Sequence, residues 1–242
     1  MPDSTHTLEQ TTHSRLADLT SADIADMRAL LERHFDGVAV EQFEKDLKEK
    51  TDVLRVWRSG RLAGFSTLLA CREQFDGEWL NLLYSGDTIM SPDCWGSPVL
   101  ARAWIAMVKK VVAAMPSGRC FWLLLSSGFR TYRFLPVFWR HFWPRHDSPM
   151  PEDIRRLRDE ISRRRFGDCF DAQAGVVRFQ TPHRLRGPLA VVPAGRAEDA
   201  HIAFFLQRNP GWHAGDELVC LTEICDDNLT AAGRRMTRDL PV

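Results

Sequence analysis

Lysine is scarce in this 242-residue chain. Only five occur, at positions 45, 48, 50, 109 and 110, so arginine supplies the other 27 of 32 basic residues. Against 32 Asp and Glu the formal net charge is zero, which removes any global attraction for nucleic acid or for an anionic membrane. No nucleic-acid partner is expected. Long apolar runs are also missing: stretches such as Val111 to Met115 and Phe121 to Leu125 fall far short of the roughly 20 residues that span a bilayer. No membrane span is expected. Met1 to Gln10 carries neither a basic stretch nor an apolar run. The six cysteines (71, 94, 120, 169, 220 and 225) are scattered, which points to reduced thiols in a cytoplasm. Cys220 and Cys225 lack a second Cys/His pair at zinc spacing, and His141 and His146 are unaccompanied, so no metal is expected. No Gly-x-Ser-x-Gly elbow surrounds Ser126 or Ser127, which disfavours a serine hydrolase.

What is present suits a globular chain: 44% apolar and 26% charged residues, enough to bury a core in one large or two small domains. The first ten or so residues read as loose. Thr20 or Ser21 caps a helix with Ile24, Met27, Leu30, Leu31 and Phe35 on one face, ended by Gly37. A second short helix fits Val40 to Lys50. Val53 to Arg58, the turn Ser59-Gly60 and Arg61 to Cys71 form a hairpin. Asp76-Gly77 turns the chain into a third strand, Glu78 to Met90, in which Gly86 marks a bulge or a close backbone approach. Ser97 as N-cap and Pro98 at the first helical position start a helix with an apolar stripe from Leu100 to Met115. Cys120 to Leu125 reads as a strand covered on both faces. A helix follows to Arg140, with Phe134, Phe138 and Phe142 in step and a kink at Pro136. Beyond Pro144 come a charged helix, Glu152 to Arg165, read as a solvated face or a carrier-protein dock, and apolar strands at His201 to Gln207 and Glu217 to Ile224, joined by Asn209-Pro210-Gly211.

The order helix, helix, three strands, helix, strand, helix resembles the GNAT-type acyltransferase fold from about Ser21 to Arg145. The resemblance implies an α/β (α+β) fold with a mixed, mostly antiparallel central sheet, helices on both faces and a C-terminal extension. Residues 1–148 would form the acyl-donor-binding core. Residues 149–242 would complete the sheet and cover the substrate side. In that family the fourth strand and the following helix hold the pantetheine and pyrophosphate of an acyl-thioester, while the fifth strand splays away. The corresponding segments are Leu80 to Met90, Ser97 to Met115 and Cys120 to Leu125. The family's phosphate loop reads Gln/Arg-x-x-Gly-x-Gly/Ala; with Gly96 at its first glycine, Asp93 and Pro98 fill the other positions. An acyl-CoA donor, an acyl-phosphopantetheine on a carrier protein, a modified grip and a lost donor site all stay open.

Trp95, Gly96 and Ser97 lead into a helix start whose unpaired N–H groups and positive dipole end suit a phosphate. Arg130 and Arg133 on the turn beside the cleft suit the same anion, or salt bridges to Asp87. Tyr84 and Ser85 on one strand, and Ser126 and Ser127 after the next, are candidate acceptor contacts. Asp87 is costly to bury alone, so it either closes a turn with Thr88 or takes a proton from an acceptor amine. Asn209, Asp216 and Glu217 lie at a turn and strand entry, where an acceptor contact competes with ordinary turn chemistry. The resemblance implies a tyrosine on the helix after the splayed strand as the acid that protonates the leaving thiolate; Tyr132 is the local candidate. Its other reading is a core residue with a wet tip. The function expected is transfer of an acyl group to a small-molecule amine. The other reading is a catalytically inactive GNAT-shaped ligand-binding or assembly protein; a homodimer is left open.

Overall fold

The computed structural model describes residues 9–237 and starts with an edge strand, β1 (Glu9–Arg15). Helices α1 (Ser21–His34) and α2 (Val40–Lys48) follow, separated by the short strand β2 (Phe35–Asp36). Then come β3 (Asp52–Arg58), β4 (Arg61–Phe75), β5 (Glu78–Met90), α3 (Val99–Ala113) and β6 (Cys120–Ser126). The second half holds α4 (Phe129–Tyr132), α5 (Phe134–Phe138), β7 (Phe142–Trp143), α6 (Glu152–Phe166), β8 (Phe170–Asp171) and β9 (Val176–Val177). It ends with β10 (Arg184–Leu185), α7 (Ala200–Arg208), β11 (Glu217–Glu223) and α8 (Ala231–Thr237).

The nine-stranded sheet runs β1-β3-β4-β5-β6-β11-β9-β8, with β7 also on β11. Only β5 and β6 run parallel; the other pairs are antiparallel. The two hairpin turns explain the meander. Ser59 and Gly60, and likewise Asp76 and Gly77, all take positive φ, the geometry that matches a tight turn to strand twist. β6 is buried at every residue, and its side chains alternate between two cores. Trp122 and Leu124 pack with Leu83 against α3 and the helices beyond it. Phe121, Leu123 and Leu125 pack with Leu82 against Ile154, Leu157 and Ile161 of α6. The result is a mixed, mostly antiparallel central sheet with helices on both faces.

Several expectations change. The loose start is a strand from Glu9 onward; residues 1–8 lie outside the described residues. β1 is polar because it is an edge strand, and its His13 and Arg15 both reach the fully buried Asp52, at 2.7 and 2.8 Å. Burying a carboxylate without partners is costly, and these two contacts offset that cost. Pro98, not Ser97, is the cap residue of α3. The helix expected through Arg140 is two short pieces broken at Arg133, and Phe142 belongs to β7. His201 to Gln207 is helical, because the Asp199 side chain accepts from the N–H groups of His201 and Ile202 and caps α7. No hairpin therefore joins it to β11. The charged helix α6 is not simply solvated: Arg158 and Asp159 are buried together at its centre.

Candidate active site

The site begins with a split in the sheet. β5 and β6 pair only from Asn81–Cys120 to Ser85–Leu124, and β5 then continues to Met90 without a β6 partner. At the split β5 bulges. Ser66 of β4 faces Thr88 while Leu68 faces Ser85, so Gly86 and Asp87 together oppose Thr67. The absence of a side chain matters there. A Cβ on Gly86 would lie 2.4 Å from Lys50 Cε and 2.5 Å from Thr67 Oγ1, so its absence lets the Lys50 side chain cross the strand. The split opens on a cavity of about 380 Å³ lined by Tyr84 to Thr88, the end of α2 with Lys50, Arg165 and Phe166 of α6, the segment 179–183, and Glu217. That volume suits a small molecule.

Charges of both signs face this space. Asp87 Oδ1 is 3.9 Å from His183 Nδ1; burial raises the carboxyl above its usual range, and His183 and Lys50 partly oppose this. Burial, then the nearby Asp87 and Asp46, push Glu217 up to about 8, so it holds a proton at neutrality. Lys50 is 8% exposed; its Nζ donates to the Asp46 carbonyl at 2.9 Å and lies 5.1 Å from the Tyr84 ring centroid. Burial lowers its affinity for the proton, an effect opposed by Asp87.

Of the residues expected at the site, Asp87, Tyr84, Ser85 and Ser127 meet in this cavity. The Ser85 hydroxyl is already committed, accepting from the Trp122 indole at 2.6 Å. Ser126 does not reach the cavity: it is fully buried, 3.8 Å from the Cys220 sulfur. Tyr132 is also fully buried, packed against Phe142 and Phe205, and its hydroxyl donates to the Pro144 carbonyl at 2.9 Å. Burial raises it above the usual phenol range. It lines no part of the cavity. Neither arginine pairs with Asp87. Arg133 pairs with Asp199 at 3.4 Å. The Arg130 guanidinium stacks 4.0 Å from the Trp95 ring centroid and donates to the Leu189 carbonyl. Trp95 in turn donates to the Met90 carbonyl at 3.1 Å, so the Trp95–Arg130 stack ties the end of β5 to the helix after β6. Beside Gly96, the Ser97 hydroxyl donates to the Glu9 carboxylate and accepts from Val99 N–H. A carboxylate thus stands at the start of α3.

Lys50, Arg165 and His183 escaped the sequence reading. Lys50 ends one expected helix, Arg165 ends another, and His183 lies in a Pro/Gly-rich stretch without periodicity. A signal did exist for Glu217, a charge opening an apolar strand. Among the described residues no group of three or more His, Cys, Asp or Glu is placed to hold a metal ion, and no helix is long and apolar enough to cross a membrane.

No family model and no curated protein matches the chain. Among solved structures, an acyl-CoA N-acyltransferase from Pseudomonas aeruginosa is 19% identical, over 48% of this chain and 79% of that one, with a TM-score of 0.36. A GNAT-family N-acetyltransferase from Escherichia coli in complex with CoA is 15% identical, over 54% and 69%, with a TM-score of 0.40. A conserved protein of unknown function from Enterococcus faecalis V583, described as a probable N-acyltransferase, is 13% identical over 91% and 67%, with a TM-score of 0.45. The element order of this chain and its split parallel pair β5–β6 resemble those of the GNAT-type fold.

Proposed function

We propose that this protein is an N-acyltransferase that moves an acyl group from a pantetheine thioester to a small amine in the cavity at the β5–β6 split. The observation that carries the reading is Asp87, which the β5 bulge sets in the cavity wall just where the strand loses its β6 partner. Asp87, with His183 beside it, accepts a proton from the acceptor ammonium. The amine lone pair attacks the thioester carbonyl, whose oxygen is polarised by peptide N–H groups along the open edge of β5. The C–N bond forms, the C–S bond breaks, the nitrogen sheds its second proton to solvent to leave the neutral amide, and the thiolate takes a proton. Tyr132 cannot supply it from the core, so the role falls to the Glu217 carboxyl, whose value of about 8 lies close to that of a thiol. Acyl-CoA and acyl-phosphopantetheine on a carrier protein are the donors that fit a pantetheine thioester, approaching along Trp95, Gly96 and Ser97. Residues 149–242 serve as the substrate-side cover, since β11 extends the sheet and the segment 179–183 closes the cavity. All six thiols are unpaired, which supports a reducing cytoplasm.

Two contacts favour a second reading, a ligand-binding or assembly protein of the same shape: the Glu9 carboxylate at the α3 start and the Trp95–Arg130 stack, both where the donor would be gripped. Free-thiol release from acyl-CoA and acyl-carrier donors of several chain lengths, with a panel of amines, separates the two. Amine-dependent release supports the enzyme. Neither binding nor turnover with any donor supports the second reading.

A further inference from the structure

We infer that the acyl acceptor carries an anionic group, a carboxylate or a phosphate, in addition to its amine, and that Lys50 and Arg165 hold that group beside the Tyr84 ring. The word acceptor rests on the acyl-transfer reading; the anion site itself does not. Both cations line the cavity. Lys50 Nζ and Arg165 Cζ lie 5.1 and 5.0 Å from the Tyr84 ring centroid, near enough to repel each other. Among the described residues neither has a carboxylate at ion-pair distance. Lys50 donates only to a main-chain carbonyl, that of Asp46. Arg165 reaches only the Cys71 sulfur, at 3.8 Å, and its buried Nε has no partner. Elsewhere on α6, Arg155, Arg156, Arg158 and Arg164 each pair with an acid. Two cations without an acid partner at the wall of a partly dehydrated cavity are unfavourable, and a bound anion offsets that cost. The guanidinium fork grips a planar or tetrahedral oxyanion with parallel hydrogen bonds. Asp87 faces Lys50 from beyond ion-pair distance and is turned toward His183. The acids of the cavity therefore take the ammonium end of a zwitterion, and the two cations take the other end.

The test is calorimetric binding without any acyl donor, using ω-amino acids and aminoalkyl phosphates of two to six carbons, each against the alkylamine of the same length. At least one anionic series is expected to bind ten-fold or more tighter than its alkylamines at low salt, and the tighter arm identifies carboxylate or phosphate. Arg165→Met should abolish the preference without weakening the alkylamines, and Arg165→Lys should restore part of it. If Arg165→Met does not fold, Lys50→Gln carries the same expectation. Equal binding of anionic and plain amines by the wild type, no binding of either, or an equal loss for all ligands in the variant would overturn the inference. Because no donor is present, an absence of thiol release would defeat the acyl-transfer reading while leaving this result intact.

Discussion

Replacing Gly86 by alanine probes the junction on which the site depends. The new Cβ would stand 2.4 Å from Lys50 Cε and 2.5 Å from Thr67 Oγ1, both closer than real carbon contacts allow. The two neighbours can yield differently. The end of the Lys50 chain is flexible and can withdraw, but Thr67 is 1% exposed and its hydroxyl already lacks a partner. Overpacking of this kind costs ~1–3 kcal/mol. The φ of Gly86 lies outside the left-handed region, so alanine is tolerated by the backbone and recovers ~0.4–1 kcal/mol by restricting the unfolded chain. The net expectation is a loss of about 1–2 kcal/mol, or a Tm lower by roughly 2–8 °C for a chain of this size. Denaturant unfolding with linear extrapolation measures it. A cycle with Lys50→Ala gives the mechanism its own readout. Removing the lysine vacates the space the methyl needs, so the double variant should be less destabilised than the sum of the singles by more than ~0.5 kcal/mol. Unchanged stability in Gly86→Ala, or strict additivity in the cycle, would refute the proposed crossing of Lys50 over β5.

Tyr132→Phe deletes a hydroxyl that donates only to Pro144 and leaves that carbonyl unpaired in the core, so it should cost ~1–3 kcal/mol of stability with turnover unchanged. A 10²-fold loss of turnover, the scale of general acid catalysis, would return Tyr132 to the reaction. Glu217→Gln tests the protonated carboxyl through stability. With its value raised from 4.5 to about 8, the folded state holds a proton that the unfolded chain has released between those limits. Its contribution is complete below pH 4.5 and is lost as pH rises through 8. Stability relative to wild type should therefore shift in favour of the neutral variant as pH is raised across that window; a constant difference by thermal melts would contradict it. A chain ending near Asp147 loses β11, the neighbour of β6, and should fail to unfold cooperatively; full stability in that truncation would show the last third to be dispensable.

Much of the frame was legible because it depends on local chemistry. Ser59-Gly60 and Asp76-Gly77 announced two turns that need positive φ, and Gly86 announced the bulge. Asp87 stood out as a charge in a half-buried strand. β1 was hidden because an edge strand needs no apolar alternation, and Glu9 to Arg15 is polar throughout. His201 to Gln207 misled because a short apolar run has no decisive period; the cap on Asp199 lies just outside it. Tyr132 was placed on the cleft by its helix, but that helix breaks at Arg133 and turns the ring into the core. Lys50, Arg165 and His183 come from three distant segments. Only the sheet order and the packing of α6 bring them together, and no spacing along the chain could show it.

Asp87 at the β5–β6 split is the proposed base for acyl transfer to an amine. The most direct measurement is thiol release from the best acyl donor and amine, as a function of pH, for the wild type and Asp87→Asn. Amine-dependent release by the wild type is expected, with a loss of turnover of roughly 10²-fold or more in the variant, greatest where the Asp87 carboxyl is ionised while the amine is still protonated, and with donor affinity little changed. Equal turnover by the two proteins at every pH would contradict it.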